Sequence, residues 1–99
     1  MEKRIEVNST VKQNKHINVT DCDGEKAMLS MKSEKYFIMN KIGSRIWDMI
    51  SEPITVNDVI LKLINEYHLD YNHCEEIVLE FLNLLDKEDI VVKVDTIRQ

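Results

Sequence analysis

Three histidines and two cysteines are the side chains of this sequence best suited to chemistry. Their spacing assembles no site. His68, His73 and Cys74 lie close together, but His73 and Cys74 are adjacent, and no further Cys or nearby His completes a four-ligand metal set. Cys22 and Cys74 are far apart without CxxC spacing, so buried or partly buried free thiols are expected. No GxGxxG, P-loop, HExxH or GxSxG is present. Glu75, Glu76, Glu80, Asp86, Glu88 and Asp89 are most simply the solvated faces and ends of a helix. No catalytic constellation emerges, so a non-enzyme without metal or cofactor is expected.

The bulk numbers agree with a binding module. Ninety-nine residues make one domain with a single modest core. The chain is 43% apolar and 31% charged, an ordinary globular balance. A net charge of −5 argues against a phosphate-backbone partner, whose affinity would come from Lys and Arg. No apolar run approaches the roughly 20 residues that cross a bilayer. The start Met1-Glu2-Lys3-Arg4-Ile5-Glu6 has no apolar h-region, and a cytoplasmic protein is expected.

Three kinds of element are legible. Residues 1–15 are polar with isolated apolar positions and suggest a flexible N-terminal arm with one short strand near Val11. Residues 16–94 form the domain, and 95–99 a polar tail. Ile17-Asn18-Val19-Thr20 alternates, Asp23-Gly24 is a type I′ hairpin turn, and Ala27, Leu29 and Met31 alternate again. After a second turn at Lys32-Ser33-Glu34, Lys35-Tyr36-Phe37-Ile38-Met39 completes a three-strand antiparallel meander. The period then becomes helical. Ile42, Ile46, Met49 and Ile50 share a face from about Lys41 to Ser51, with Trp47 beside it seating the helix. Pro53 ends that helix. Thr55 caps a second, with Asp58 in its first turn and Val56, Val59, Ile60, Leu63, Ile64 and Tyr67 on one face. Asn72 is expected to cap a third helix reaching about Lys87, and Ile90–Val94 is a closing strand. The fold class is α+β, winged-helix-like, with a three-stranded antiparallel sheet followed by a three-helix bundle.

Two of these elements are more apolar than their positions require. The third strand of a β-β-β-α meander is naturally an edge, and an apolar edge with unpaired main-chain groups is a template for an added strand. The third helix carries Leu84, Ile77, Phe81, Cys74, Leu85, Val78 and Leu82 round one broad arc, extended by Leu79. A central helix touching several neighbours needs such width; alternatively, its Leu79–Leu82 margin walls a ligand groove. Its acids would then favour a basic ligand segment. The second and third helices also resemble a helix-turn-helix, but the third offers few residues for reading base edges.

Asp23-Gly24-Glu25, the Leu29 strand, Tyr36-Phe37-Ile38-Met39-Asn40, Ile42-Gly43, Ile46-Trp47 and Thr55-Val56 stand in a telling order. With Tyr67, Leu69-Asp70 and Val78…Phe81-Leu82…Leu85, this set resembles the PqqD-like family of RiPP precursor-peptide recognition elements. That family commonly carries Tyr-x-x-Leu-Asn-x-x-Gly-x-x-Ile-Trp; Met39 replaces the Leu here, a volume-conserving change. The resemblance spans about residues 16–94. It implies a non-catalytic adaptor, similar to the stand-alone recognition half of split lasso-peptide leader-processing proteins. Its ligand would be the leader of a ribosomally made precursor, added as a strand to the third strand and walled by the third helix. Its enzyme partner would be a leader peptidase or a radical-SAM modifying enzyme, with no nucleic acid or membrane partner. Carried onto this chain, the peptide-binding residues are Lys35, Tyr36, Phe37, Ile38, Met39, Val78, Leu79, Leu82 and Leu85. A charge at Leu82 is then expected to abolish binding without disturbing the fold. The competing readings are a winged-helix DNA-binding regulator and a small structural subunit of an enzyme. An edge-to-edge homodimer is a further occupant of the third strand when no leader is present.

Overall fold

The computed structural model describes residues 4–94. It contains β1 (Thr10–Gln13), β2 (Asn18–Cys22), β3 (Glu25–Leu29), β4 (Tyr36–Met39), α1 (Lys41–Met49), β5 (Ile54–Thr55), α2 (Val56–Tyr67), α3 (Tyr71–Lys87) and β6 (Val91–Val94). The fold is mixed α and β, with three helices and two antiparallel three-stranded sheets, β2-β3-β4 and β5-β1-β6.

The meander follows from its turns. Asp23 and Gly24 both take positive φ (53° and 85°), as a two-residue hairpin of the right twist requires. Val19, Met28 and Phe37 face one another across the three strands on the covered side. Asn40 stops β4 and starts α1, its side-chain oxygen accepting the Gly43 N–H at 2.8 Å. Thr55 caps α2 through the Asp58 N–H, and His68 ends it in the left-handed conformation. α3 begins two residues earlier than its sequence suggests. Asp70, not Asn72, is the cap, and its carboxylate accepts the His73 N–H at 3.1 Å.

The second sheet changes the reading of the N-terminus. Residues 4–13 are not a loose arm: Ile5 and Val11 are buried, and β1 is the central strand between β5 and β6. Asn83 of α3 holds the main chain of Ile5 from both sides. Its Oδ1 accepts the Ile5 N–H at 2.9 Å, and its Nδ2 donates to the Ile5 carbonyl at 3.2 Å. Residues 1–3 of the expected arm and the tail 95–99 lie outside the described residues.

The core is built from Ile46 and Trp47 of α1 and Ile50 just past its end, Val59, Ile60 and Leu63 of α2, and Cys74, Val78, Leu82 and Leu85 of α3. Met28 and Met39 close it from the meander, Val11 and Val91 from the second sheet. α3 is therefore central, packed on α2 and β6. Among the described residues no helix is long and apolar enough to cross a membrane.

Candidate functional site

β4 is an edge strand: β3 lies on one side of it, and among the described residues no strand pairs with the other. The Ser30 N–H bonds to the Lys35 carbonyl at 2.9 Å. Alternation along an antiparallel ladder then directs the main-chain groups of Phe37 and Met39 to β3. Those of Tyr36 and Ile38 face the free edge. The side chains of Tyr36 and Ile38 are 72% and 73% exposed, those of Phe37 and Met39 turned inward. Lys35 is exposed at the strand's start. Among the described residues, β1 of the N-terminal segment pairs in the second sheet and not with this edge.

Beside the far end of β4, α1 and α3 enclose an open cavity of about 500 Å³. Ile42, Gly43 and Ile46 line one wall, Ile77, Phe81 and Leu84 the other, with Asn40 and Glu80 as its polar members. Gly43 is essential to this geometry. A Cβ placed on it would stand 3.2 Å from both Met39 Cβ and Phe81 Cε1, so only glycine lets α1, β4 and the Phe81 ring meet so closely.

α3 presents a different margin to the groove from the one its sequence suggested. Val78, Leu82 and Leu85 are at most 1% exposed and belong to the core. A charge at Leu82 would therefore be buried and would unfold the domain rather than spare it. Leu79 lies on the opposite flank of α3, lining a cavity of about 620 Å³ with Asn83 and residues 4–8. Ile77, Phe81 and Leu84, one step round the helix, form the wall instead, and Leu84 is 45% exposed. Their signal was already in the width of the apolar arc. That arc has two margins, and the ordered Ile5–Val7 segment covers the Leu79 side.

Among the described residues no three His, Cys, Asp or Glu side chains come together as a metal site. Cys74 is buried, burial pushes its thiol pKa up, and its Sγ lies 3.8 Å from the Ile60 carbonyl oxygen. Cys22 is exposed at the end of β2. The Lys26 ammonium links Asp21 at 3.1 Å and Asp48 at 3.7 Å, joining the meander to α1.

Residues 25–91 match the family model described as coenzyme PQQ synthesis protein D (PqqD). The chain belongs to the PqqD family. Two solved structures are similar to it. One is TbiB1 in complex with the TbiA(beta) leader peptide, 22% identical, with a TM-score of 0.73 over 86% of this chain and 99% of that one. The other is a lasso peptide synthetase B1 complexed with the leader peptide, 18% identical, with a TM-score of 0.70 over 83% and 96%. No curated protein matches the chain. The matched residues of this PqqD-family chain include β3, β4, all three helices and every residue of the α1–α3 cavity.

Proposed function

We propose that this protein is a non-catalytic, cytoplasmic adaptor that binds the leader of a ribosomally synthesised precursor peptide and presents it to a leader peptidase or modifying enzyme. The leader adds as a strand to β4, on a winged-helix-like arrangement of the three helices, and its apolar side chains enter the cavity between α1 and α3. One observation carries this reading: an unpaired, apolar strand edge opens beside an apolar cavity. Edge strands of this kind are ordinarily blunted, and strand addition is a standard use where they are kept. Both similar solved structures hold leader peptides, which supports the same ligand class. The contact residues of this reading are Lys35 to Met39 on the strand and Ile77, Phe81 and Leu84 on α3.

The test is fluorescence anisotropy with labelled leader peptides of candidate precursors, taken from any short open reading frames near this chain's gene. Saturable binding in the range of about 0.1–10 µM is expected for a short strand with two or three anchored side chains. An absence of saturable binding sinks the reading. DNA binding is not favoured, because α3 exposes Glu76 and Glu80 where a recognition helix would present Arg, Lys, Asn or Gln to base edges.

A further inference from the structure

The turn that launches β4 is tied to the C-terminus of α3 by contacts that strand addition does not itself require. Ser30, fully buried, donates its hydroxyl to Glu88 Oε1 at 2.8 Å. The same hydroxyl oxygen accepts the N–H groups of Lys32 at 3.2 Å and Ser33 at 3.3 Å. Ser30 is thus the hub of the turn, and Glu88 holds the hub. Lys32 adds a second tie: its ammonium reaches the Lys87 carbonyl at 3.0 Å, one of the acceptors left open at a helix end, and lies 3.8 Å from Asp89. The Ser33 hydroxyl lies beside the Glu88 carboxylate, although only Ser30 meets it in hydrogen-bonding geometry. Ser33 first and Ser30 next hold the Glu88 carboxyl below the ordinary glutamate range.

This latch sits at one end of the groove. At the other end, Phe81 over Gly43 fixes the same spacing. Between them α3 is immobilised by Val78, Leu82 and Leu85 in the core. β4 alone has few inward side chains with which to hold its position.

We propose that Glu88 is a positioning residue for peptide recognition: through Ser30 it sets the distance between the β4 edge and the α3 wall. This inference rests on the strand-addition reading. A groove held at its working width spares the entering peptide the entropic cost of ordering the turn.

The experiment compares Glu88→Ala, Glu88→Gln, Ser30→Ala and the Glu88→Ala/Ser30→Ala double variant, by hydrogen exchange of the free protein and anisotropy with the same leader probe. Glu88→Ala is expected to speed exchange across residues 31–38 while α2 keeps its protection. It should weaken the probe roughly fivefold, the effect of one hydrogen bond. Glu88→Gln keeps an acceptor for the Ser30 hydroxyl and should stay within about twofold of the parent, since a half-exposed charge alone contributes little. The double variant should be no weaker than Ser30→Ala, which loses the Glu88 bond together with the acceptor of the Lys32 and Ser33 N–H groups. Unchanged affinity and exchange in Glu88→Ala overturn the proposal, as does a Gln variant as impaired as the Ala one. If the unmodified protein fails to bind the probe, the adaptor reading falls. The exchange data then still decide whether Glu88 positions β4.

Discussion

Gly43 and Phe81 illustrate how single residues govern the groove. An added methyl at Gly43 meets Met39, which is buried and cannot yield, and Phe81, which is half-buried and can. The ring would therefore swing into the cavity. Gly43→Ala also raises helix propensity within α1 by about 0.5–1 kcal/mol, which offsets part of the overpacking cost of about 1–3 kcal/mol. A modest fall in thermal midpoint is expected by calorimetry, with leader affinity falling well beyond what that loss of folded protein explains. Equal binding by the variant would remove Phe81 from the wall. The same region marks how far residue-level reading reaches. The apolar excess of α3 is visible in its sequence, but which margin faces the groove depends on Ile5 and Val7. An isolated apolar residue in a polar stretch gives no sign that an Asn 78 positions later will clamp its main chain.

At the scale of elements, the proposed strand addition depends on what β4 leaves unpaired. Proline at Ile38 removes an N–H that faces the free edge and leaves the β3 ladder whole, a substitution tolerated only on edge strands. Proline at Phe37 removes an N–H that β3 needs. Ile38→Pro is therefore expected to keep the melting midpoint near that of the parent while lowering leader affinity at least roughly fivefold, one hydrogen bond's worth. Phe37→Pro should destabilise the fold itself. Circular dichroism melts beside anisotropy separate the two, and undiminished binding by Ile38→Pro would exclude strand addition at this edge. The elements that sequence reveals best are those with local causes. The Asp23-Gly24 turn, the Asn40 and Thr55 caps and the 3.6-residue period of α2 each act within a few residues. β5 escapes such reading because it is two residues long, and β1, expected only as a short strand near Val11, carries no local sign of its partners. β1 pairs with β6 some 80 residues away, Thr10 opposite Val94, so only the tertiary fold defines its partner.

For the molecule as a whole, three acidic groups act on stability in opposite directions. Glu66 is held below the ordinary glutamate range, chiefly by its hydrogen bonds to Arg45, which join α1 to α2 at 2.8 and 3.0 Å. Glu88 is held low by the Ser33 and Ser30 hydroxyls. Asp86 is raised, first by burial and then by Asp89 beside it. A lowered folded-state pKa stabilises above the unfolded-state value and loses that contribution as pH falls through the folded one. A raised one costs stability at neutral pH, and the cost is relieved as pH falls through the folded value towards the unfolded one. Acidification should therefore bring first a slight gain, as Asp86 takes its proton, and then a loss below the ordinary carboxylate range, as Glu66 and Glu88 take theirs. The Arg45–Glu66 pair is about one-third exposed on each side, so its share stays under about 1 kcal/mol and the acid limb is shallow. The single tryptophan, Trp47, is buried in the core and reports unfolding directly. Urea midpoints followed by its fluorescence over a pH series give the curve. Asp86→Asn should abolish the initial gain, and Glu66→Gln should flatten the loss below it. A stability that falls steadily from neutral pH, unchanged in the Asn variant, would show that Asp86 bears no burial cost.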